Sequence, residues 1–127
     1  MRVCILGDGL SSLTLAKALV NQNIYVDILS KKKKIRFSRS RTLGISKSNI
    51  NFFNKNIINI EKLIWKLKKI EIFSDNLKNE KLLDFKDNEQ LFSIVKNHEI
   101  YQLIEKDLLK NKLFKKKIFD NKNLSSL

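Results

Sequence analysis

The chain has 127 residues, and 43% of them are hydrophobic, which suits one packed domain rather than a disordered chain. It contains no run of 18 apolar residues and no signal-peptide pattern, so we expect a cytoplasmic location with at most peripheral contact at the inner face of a membrane. A single cysteine and a single histidine exclude a disulfide framework and a Cys- or His-rich metal site.

The formal net charge is +13, because the chain has 26 Lys plus Arg and 13 Asp plus Glu. Such a charge indicates a nucleic-acid partner only where it is clustered. Here the lysines are scattered among asparagine and isoleucine, a composition typical of codon bias towards A and T, so we expect no nucleic acid as partner. The one cluster, residues 31–34, is either a solvated loop or a contact to nucleotide phosphates.

The start of the chain, R-V-C-I-L-G-D-G-L-S-S-L, predicts a buried strand, a turn at Gly7 and Gly9, and a helix from Leu10. In a dinucleotide-binding unit such a turn lets the backbone approach a pyrophosphate, which binds at the N-terminus of the helix. Ser12 stands in place of the usual third glycine, and Asp8 must point away from a bound phosphate. An ordinary βαβ unit without a ligand is the alternative.

The second predicted strand covers residues 24–29 and is followed by Ser30. Dinucleotide-binding units usually have an acidic residue at this point, where it accepts hydrogen bonds from the ribose. Residues 35–46 have no clear period, which predicts a surface loop near the nucleotide.

Helices and short strands are predicted for the rest of the chain. Ser48 is the predicted cap of a short helix, and residues 60–67 have the apolar spacing of a second helix, with Trp65 as a packing residue off its apolar face. Asn97 is the predicted cap of a longer helix. Residues 117–119 are predicted to form a final strand. Three strands of a small antiparallel sheet are predicted over residues 70–74, 82–85 and 91–95.

This order of elements predicts an α/β fold. A Rossmann-like βαβ start is followed by inserted helices and a small antiparallel sheet before the parallel sheet resumes. Cys4 lies inside the first strand, where we expect it to be buried in the core.

Four segments, in order, resemble the N-terminal portion of the flavoprotein aromatic hydroxylases, which are FAD-dependent monooxygenases. Residues 5–19 are similar to the opening FAD fingerprint of that family, and residues 41–46 (R-T-L-G-I-S) to its R-T-x-A-L-S segment. Residues 64–75 resemble its tryptophan-bearing helix end and I-x-V-x-D strand, and residues 95–100 its V-E-N-R-x-L segment at the start of the returning helix. Within the family, the ubiquinone-biosynthesis hydroxylases are the most similar.

The resemblance implies FAD as cofactor, NAD(P)H as reductant, and oxygen insertion into a small aromatic or prenylated phenol substrate. It also implies that residues 1–127 form a single N-terminal FAD-binding portion. Within this portion, residues 1–47 are the dinucleotide-binding βαβ unit and loop, residues 48–95 the inserted helices and small sheet, and residues 96–127 the returning helix and strand.

The resemblance assigns cofactor-binding roles and no catalytic or metal-binding residue. Ser30 occupies the ribose-binding position, Arg41 matches an arginine that reaches the FAD, and His98 replaces a cofactor-contacting arginine. The full set of cofactor-binding residues is Gly7, Gly9, Leu10, Ser11, Ser12, Ser30, Lys31, Arg41 and His98.

The second FAD motif and the substrate-domain strands of the family are not found in this sequence. The resemblance therefore implies a truncated or split N-terminal piece that binds the ADP part of FAD, with a C-terminal half from a separate chain. A non-catalytic Rossmann-like module for nucleotide binding or interaction is the alternative.

Overall fold

The structure starts with the predicted strand, turn and helix, but the prediction that this strand is buried is wrong, because its five residues are exposed or only partly buried. This computed structural model describes residues 1–31, 41–67, 69–73, 81–86 and 92–118. Residues 32–40, 74, 75, 91 and 119, which belong to predicted segments, lie outside the described residues. The elements are β1 (Arg2–Leu6), α1 (Leu10–Asn21), β2 (Tyr25–Ser30), β3 (Thr42–Ser46), α2 (Lys47–Asn56), a 3₁₀ turn (Glu61–Leu63), β4 (Ile64–Leu67), β5 (Lys69–Phe73), β6 (Lys81–Lys86), β7 (Phe92–Lys96), α3 (Asn97–Leu109) and β8 (Phe114–Ile118).

Three parallel strands form the first sheet, in the order β1-β2-β8. β2 lies in the middle, where Val26 is aligned with Val3 of β1 and with Phe114 of β8. Parallel strands need a crossover connection, and α1 supplies it between β1 and β2, while α3 leads into β8. The predicted α/β fold with a βαβ start and a small antiparallel sheet is confirmed.

The core lies where α1 and α3 pack on each other and on the parallel sheet. Its members are apolar residues of both helices and of β2, together with Ile60, Val95 of β7 and Phe114 of β8. Those with no exposed surface are Leu13, Ala16, Val26, Ile28, Ile60, Ile104 and Leu108. This packing fixes the first turn of α1 relative to the ends of the strands.

The second sheet has the order β3-β7-β4, and β5 and β6 form a separate antiparallel pair. The prediction that residues 70–74, 82–85 and 91–95 share one sheet is therefore wrong in its pairing. β7 lies between β3 and β4, and its Val95, which is 1% exposed, is aligned with Leu43 on one side and Ile64 on the other.

The predicted helix over residues 60–67 is wrong, since a 3₁₀ turn and β4 occupy this segment. Ile64 and Trp65 favour a strand, and pairing with β7 outweighs the helical spacing of the apolar residues. Trp65 is 67% exposed instead of packed, and its ring centroid lies 5.9 Å from the ammonium of Lys96.

The loop predicted over residues 35–46 is wrong in its last part, because Thr42–Ser46 is β3. The first three residues of β3 are exposed, so the strand lacks the alternation that would have revealed it. Cys4 is exposed and not in the core, since it lies on β1 at the edge of the parallel sheet.

Both predicted helix caps are shifted. The Oγ of Ser46, not of Ser48, caps α2 and accepts a hydrogen bond of 3.3 Å from the N–H of Asn49. Asn97 is the first residue of α3 and Lys96 is its N-cap, without a side-chain capping bond.

Within the described ranges, no helix is long and apolar enough to cross a membrane. Nor do these residues bring together three or more His, Cys, Asp or Glu side chains that could bind a metal ion.

Two neighbouring leucines of α3 test the position of the core. Leu108 has no exposed surface and Leu109 is 60% exposed. We expect Leu108→Ala to lower the free energy of unfolding by about 2–5 kcal/mol, because it leaves a cavity. Leu109→Ala makes the same chemical change at the surface and should alter it by about 0.5 kcal/mol or less. Urea denaturation followed by circular dichroism measures both, and equal losses would contradict this core.

Candidate dinucleotide-binding site

The glycine turn joins β1 to α1 at the carboxyl end of the parallel sheet. Gly7 has φ +109°, a conformation that residues with a side chain rarely adopt. Its N–H donates a 2.8 Å hydrogen bond to the carbonyl of Leu29, which ties the turn to the end of β2.

Gly9 is the N-cap of α1 and has ordinary backbone angles, φ −73° and ψ 179°. A Cβ at this position would have no atom within 4 Å, so neither the backbone nor the packing of the described residues requires glycine here. The open space lies directly before the first turn of the helix, which suits close approach of a ligand to the backbone.

The N–H groups of Leu10, Ser11 and Ser12 begin α1, and such groups have no acceptor inside the helix. Gly9 supplies no capping side chain, and the first turn contains no acidic residue. These donors and the partial positive charge of the helix terminus form an arrangement that can bind a phosphate group. The predicted pyrophosphate-binding residues therefore lie together.

Asp8 lies between the two glycines and is held at both its main chain and its side chain. Its carboxylate accepts a short hydrogen bond from the hydroxyl of Ser30. Its carbonyl accepts a 2.8 Å hydrogen bond from the hydroxyl of Tyr101 on α3. The turn is thus fixed by β2 on one side and by α3 on the other.

Tyr101 is 4% exposed, although it carries a hydroxyl group. Burial, followed by the carboxylates of Glu105 and Asp8, raises the pKa of Tyr101. The hydroxyl therefore stays protonated at neutral pH and remains a donor.

Ser30, the predicted ribose-binding residue, is the last residue of β2 and is 1% exposed. Its hydroxyl donates to Asp8, so the structure adds a carboxylate to this position. Lys31 follows directly and is exposed.

Arg41 and His98 are brought together by the second sheet. The N–H of Asn97 donates a 3.0 Å hydrogen bond to the carbonyl of Arg41, and the neighbouring Thr42 is aligned with Lys96. Arg41 is exposed. His98 lies in the first turn of α3, one turn before Tyr101, so this helix links the Arg41 segment to the glycine turn.

The buried Nδ1 of His98 and Oδ1 of Asn97 have no hydrogen-bond partner among the described residues. Buried polar atoms in native structures nearly always have a partner. Two polar atoms at the start of α3 are thus available to a group that the described part of the chain does not supply.

An open apolar groove runs from the first turn of α1 between α1, α2 and the second sheet, with a volume of about 640 Å³. Leu10 and Ser11 line its end at the glycine turn, and Phe52 and Leu43 line it farther along. Both of these apolar side chains remain exposed. The sequence did not predict this groove, because its walls come from four separate segments.

The sequence interpretation also missed Tyr101 and the side-chain role of Asp8. Tyr101 follows Ile100 in the apolar stripe of α3, where a tyrosine must find a partner for its hydroxyl. That requirement was the available signal. The partner itself, 93 residues away in sequence, was not predictable.

The hydrogen bond from Tyr101 to the turn can be tested by Tyr101→Phe. We expect the free energy of unfolding to fall by about 0.5–1.5 kcal/mol, because the Asp8 carbonyl loses its donor. Tyr25→Phe, at a residue that is 47% exposed, is the matched control and should have little effect.

The dependence of unfolding on pH gives a second test, in which the unchanged chain is compared with Tyr101→Phe. The pKa of Tyr101 is raised above its ordinary value of 10.0, so the stability difference is fully present below pH 10. It should shrink as the pH rises further, because only the unfolded state then ionises this tyrosine. Urea midpoints between pH 7 and pH 11 measure it, and a difference that grows with pH would contradict the assignment.

No protein-family model and no curated protein matches this chain. Solved structures do match. The p-nitrophenol 4-monooxygenase PnpA from Pseudomonas putida DLL-E4 is similar over 91% of this chain, with a TM-score of 0.73 and 14% sequence identity. HpxO from Klebsiella pneumoniae, solved with FAD and uric acid, matches 91% of this chain with a TM-score of 0.66 and 14% identity. A third similar structure is 2,6-dihydroxypyridine-3-hydroxylase from Arthrobacter nicotinovorans, with 91% coverage of this chain, a TM-score of 0.64 and 14% identity.

The matched part is 31%, 30% and 28% of those three chains, respectively, so this chain spans less than a third of their length. At these identities the likeness establishes the fold. The chain has the α/β fold of the N-terminal portion of the flavin-dependent aromatic hydroxylases.

Proposed function

We propose that this chain is the N-terminal FAD-binding portion of a flavin-dependent aromatic hydroxylase and binds the ADP part of FAD. The observation that carries the proposal is the open position at Gly9, directly before the free N–H groups of α1. A bound pyrophosphate would accept hydrogen bonds from these groups, and a Cβ-sized volume at Gly9 is free of other atoms within 4 Å. The shared fold with structures that hold FAD supports the same ligand.

The proposed substrate class is a small aromatic or prenylated phenol, hydroxylated in ubiquinone biosynthesis with NAD(P)H as reductant. Residues 41–46 and 95–100 support this class through their resemblance to the ubiquinone-biosynthesis hydroxylases. FAD, when bound, supplies the redox and oxygen chemistry, and the protein binds and orients it. In this proposal Arg41 and His98 contact the cofactor, and the protein is cytoplasmic with at most peripheral membrane contact.

We further propose that a separate chain completes the fold at the edge of β1 that no described strand covers. The strand order β1-β2-β8 corresponds to 1-2-3 of a doubly wound sheet, in which the next strand adds beside strand 1. On β1, Leu6 is 62% exposed and Cys4 is exposed, which is unusual for parallel sheets because they are buried on both faces. Residues 1–47, 48–95 and 96–127 keep their proposed roles as βαβ unit, insertion and returning segment.

A non-catalytic nucleotide-binding or interaction module is the second candidate. The open groove between α1 and α2 favours it, because an apolar cleft of about 640 Å³ falls within the range of volumes typical of ligand-binding sites. The interaction form of this second candidate differs from the first in that it binds no ADP-containing ligand at the glycine turn.

The ligand site is tested by Gly9→Ala. The added methyl group has no protein neighbour within 4 Å, so the fold should persist, while the affinity for ADP and FAD should fall at least about tenfold because the methyl group occupies ligand space. Gly44→Ala adds the same group 3.8 Å from the Phe92 ring, in ordinary contact, and should leave the affinity unchanged. Calorimetry measures both variants. An unchanged affinity in folded Gly9→Ala would reject the turn as the site.

Catalysis is tested with the 127-residue chain and added FAD. We expect no substrate-dependent NADPH oxidation or oxygen uptake with a prenylated phenol, because hydroxylation needs walls on both sides of the flavin ring that exclude water. Stoichiometric flavin retention with substrate-dependent turnover would show that this portion is sufficient. Failure of the folded chain to bind either ADP or FAD would instead favour the interaction form of the second candidate.

A further inference from the structure

The carboxyl ends of β1 and β2 carry an unusual pair of side chains. In doubly wound folds, ligands bind at this end of the sheet, and an acidic residue after the second strand accepts hydrogen bonds from the ribose. Here β2 ends in Ser30, whose side chain is uncharged and 1% exposed. The serine therefore cannot supply the charged acceptor that this position usually provides.

The carboxylate that lies beside Ser30 is that of Asp8, in the glycine turn. Ser30 donates its hydroxyl hydrogen to Oδ2 of Asp8, which holds the carboxylate at the end of β2. Tyr101 donates to the carbonyl of the same residue at 2.8 Å, which fixes its main chain independently. Asp8 is thus held in one orientation from two directions, and it is partly exposed.

The carboxylate retains acceptor capacity. An ionised carboxylate has about four lone-pair sites, and Ser30 uses one. Within the described ranges, no lysine or arginine forms an ion pair with Asp8. Its negative charge therefore acts on whatever occupies the end of β2.

We propose that Asp8 is the ribose-recognition residue of this site, with Ser30 as its positioning residue. The carboxylate accepts hydrogen bonds from the ribose hydroxyls of an adenosine diphosphate group, and thus performs from the glycine turn the role that a residue after β2 performs in other dinucleotide sites. This inference rests on the proposed nucleotide site. It specifies the ligand class further: a ribose with free hydroxyls is accepted, and a ribose with a 2′-phosphate is repelled by the like charge.

The ligands themselves give the first test, which needs no variant. The affinities of the full 127-residue chain for these ligands are measured by calorimetry. We expect 2′-deoxy-ADP and 3′-deoxy-ADP to bind about tenfold or more weakly than ADP, because each lacks a hydroxyl that makes a charge-assisted hydrogen bond to Asp8. ADP carrying a 2′-phosphate should also bind more weakly than ADP. Equal affinities for all four ligands would overturn the role of Asp8.

Asp8→Asn and Asp8→Ala then assign the effect to the carboxylate. Both should reduce the preference for ADP over its deoxy forms and remove the discrimination against the 2′-phosphate. Inorganic pyrophosphate should bind each variant at least as well as the unchanged chain. Ser30→Ala should give a smaller loss of preference, because only the orienting bond is removed.

Asp107→Asn is the matched control, because it makes the same change of charge on α3, where the residue pairs with Lys17. It should leave all ligand ratios unchanged. If ADP binds but the ratios stay constant in folded Asp8→Ala, the Asp8 assignment is wrong and the proposed function stands. If the unchanged chain binds no ADP, the proposed function itself fails.

Discussion

The constraint on which the rest of the structure depends is the position of β2 in the middle of the parallel sheet. Residues 26–30 are all buried, even though they include Asp27, whose charge is balanced by Arg2 at 3.2 Å. Because β2 is paired on both edges, its register is fixed, and a slip by one residue would turn its apolar side chains to the wrong face. The hydrogen bonds that Leu29 and Ser30, at the carboxyl end of this strand, make to the glycine turn follow from that register.

The helix α3 gives the fold its second constraint, because it belongs to both the core and the site. Its C-terminal half fills the core with Ile104 and Leu108, and Tyr101 reaches the glycine turn. Its first turn is bonded through Asn97 to the segment that contains Arg41. α3 therefore connects the core to both the glycine turn and the Arg41 segment.

The sequence was sufficient for the parts of the fold that rest on local signals. The strand, Gly7–Gly9 turn and helix at the start have a strong local pattern, and the structure contains them with nearly the predicted bounds. The long helix from residue 97 was also predictable, because its apolar spacing continues over three turns.

The remainder depends on contacts between distant segments. Residues 60–67 have helical spacing, yet pairing with β7 makes part of them a strand. The exposed strand β3 has no alternation to detect. The bonds from Ser30 and Tyr101 to Asp8 cross 22 and 93 residues, so no pattern within one segment indicates them.

The edge of β1 that pairs with no strand in the described part of the chain also determines how copies of this chain behave towards one another. An unpaired edge strand is a template for pairing with any other strand, and the exposed Leu6 adds apolar surface beside it. The net charge of +13 opposes this by keeping copies apart, but dissolved salt screens that repulsion within about 8–10 Å at physiological concentration. Colloidal stability of the chain is therefore greatest at low ionic strength, where like-charge repulsion protects the uncovered edge.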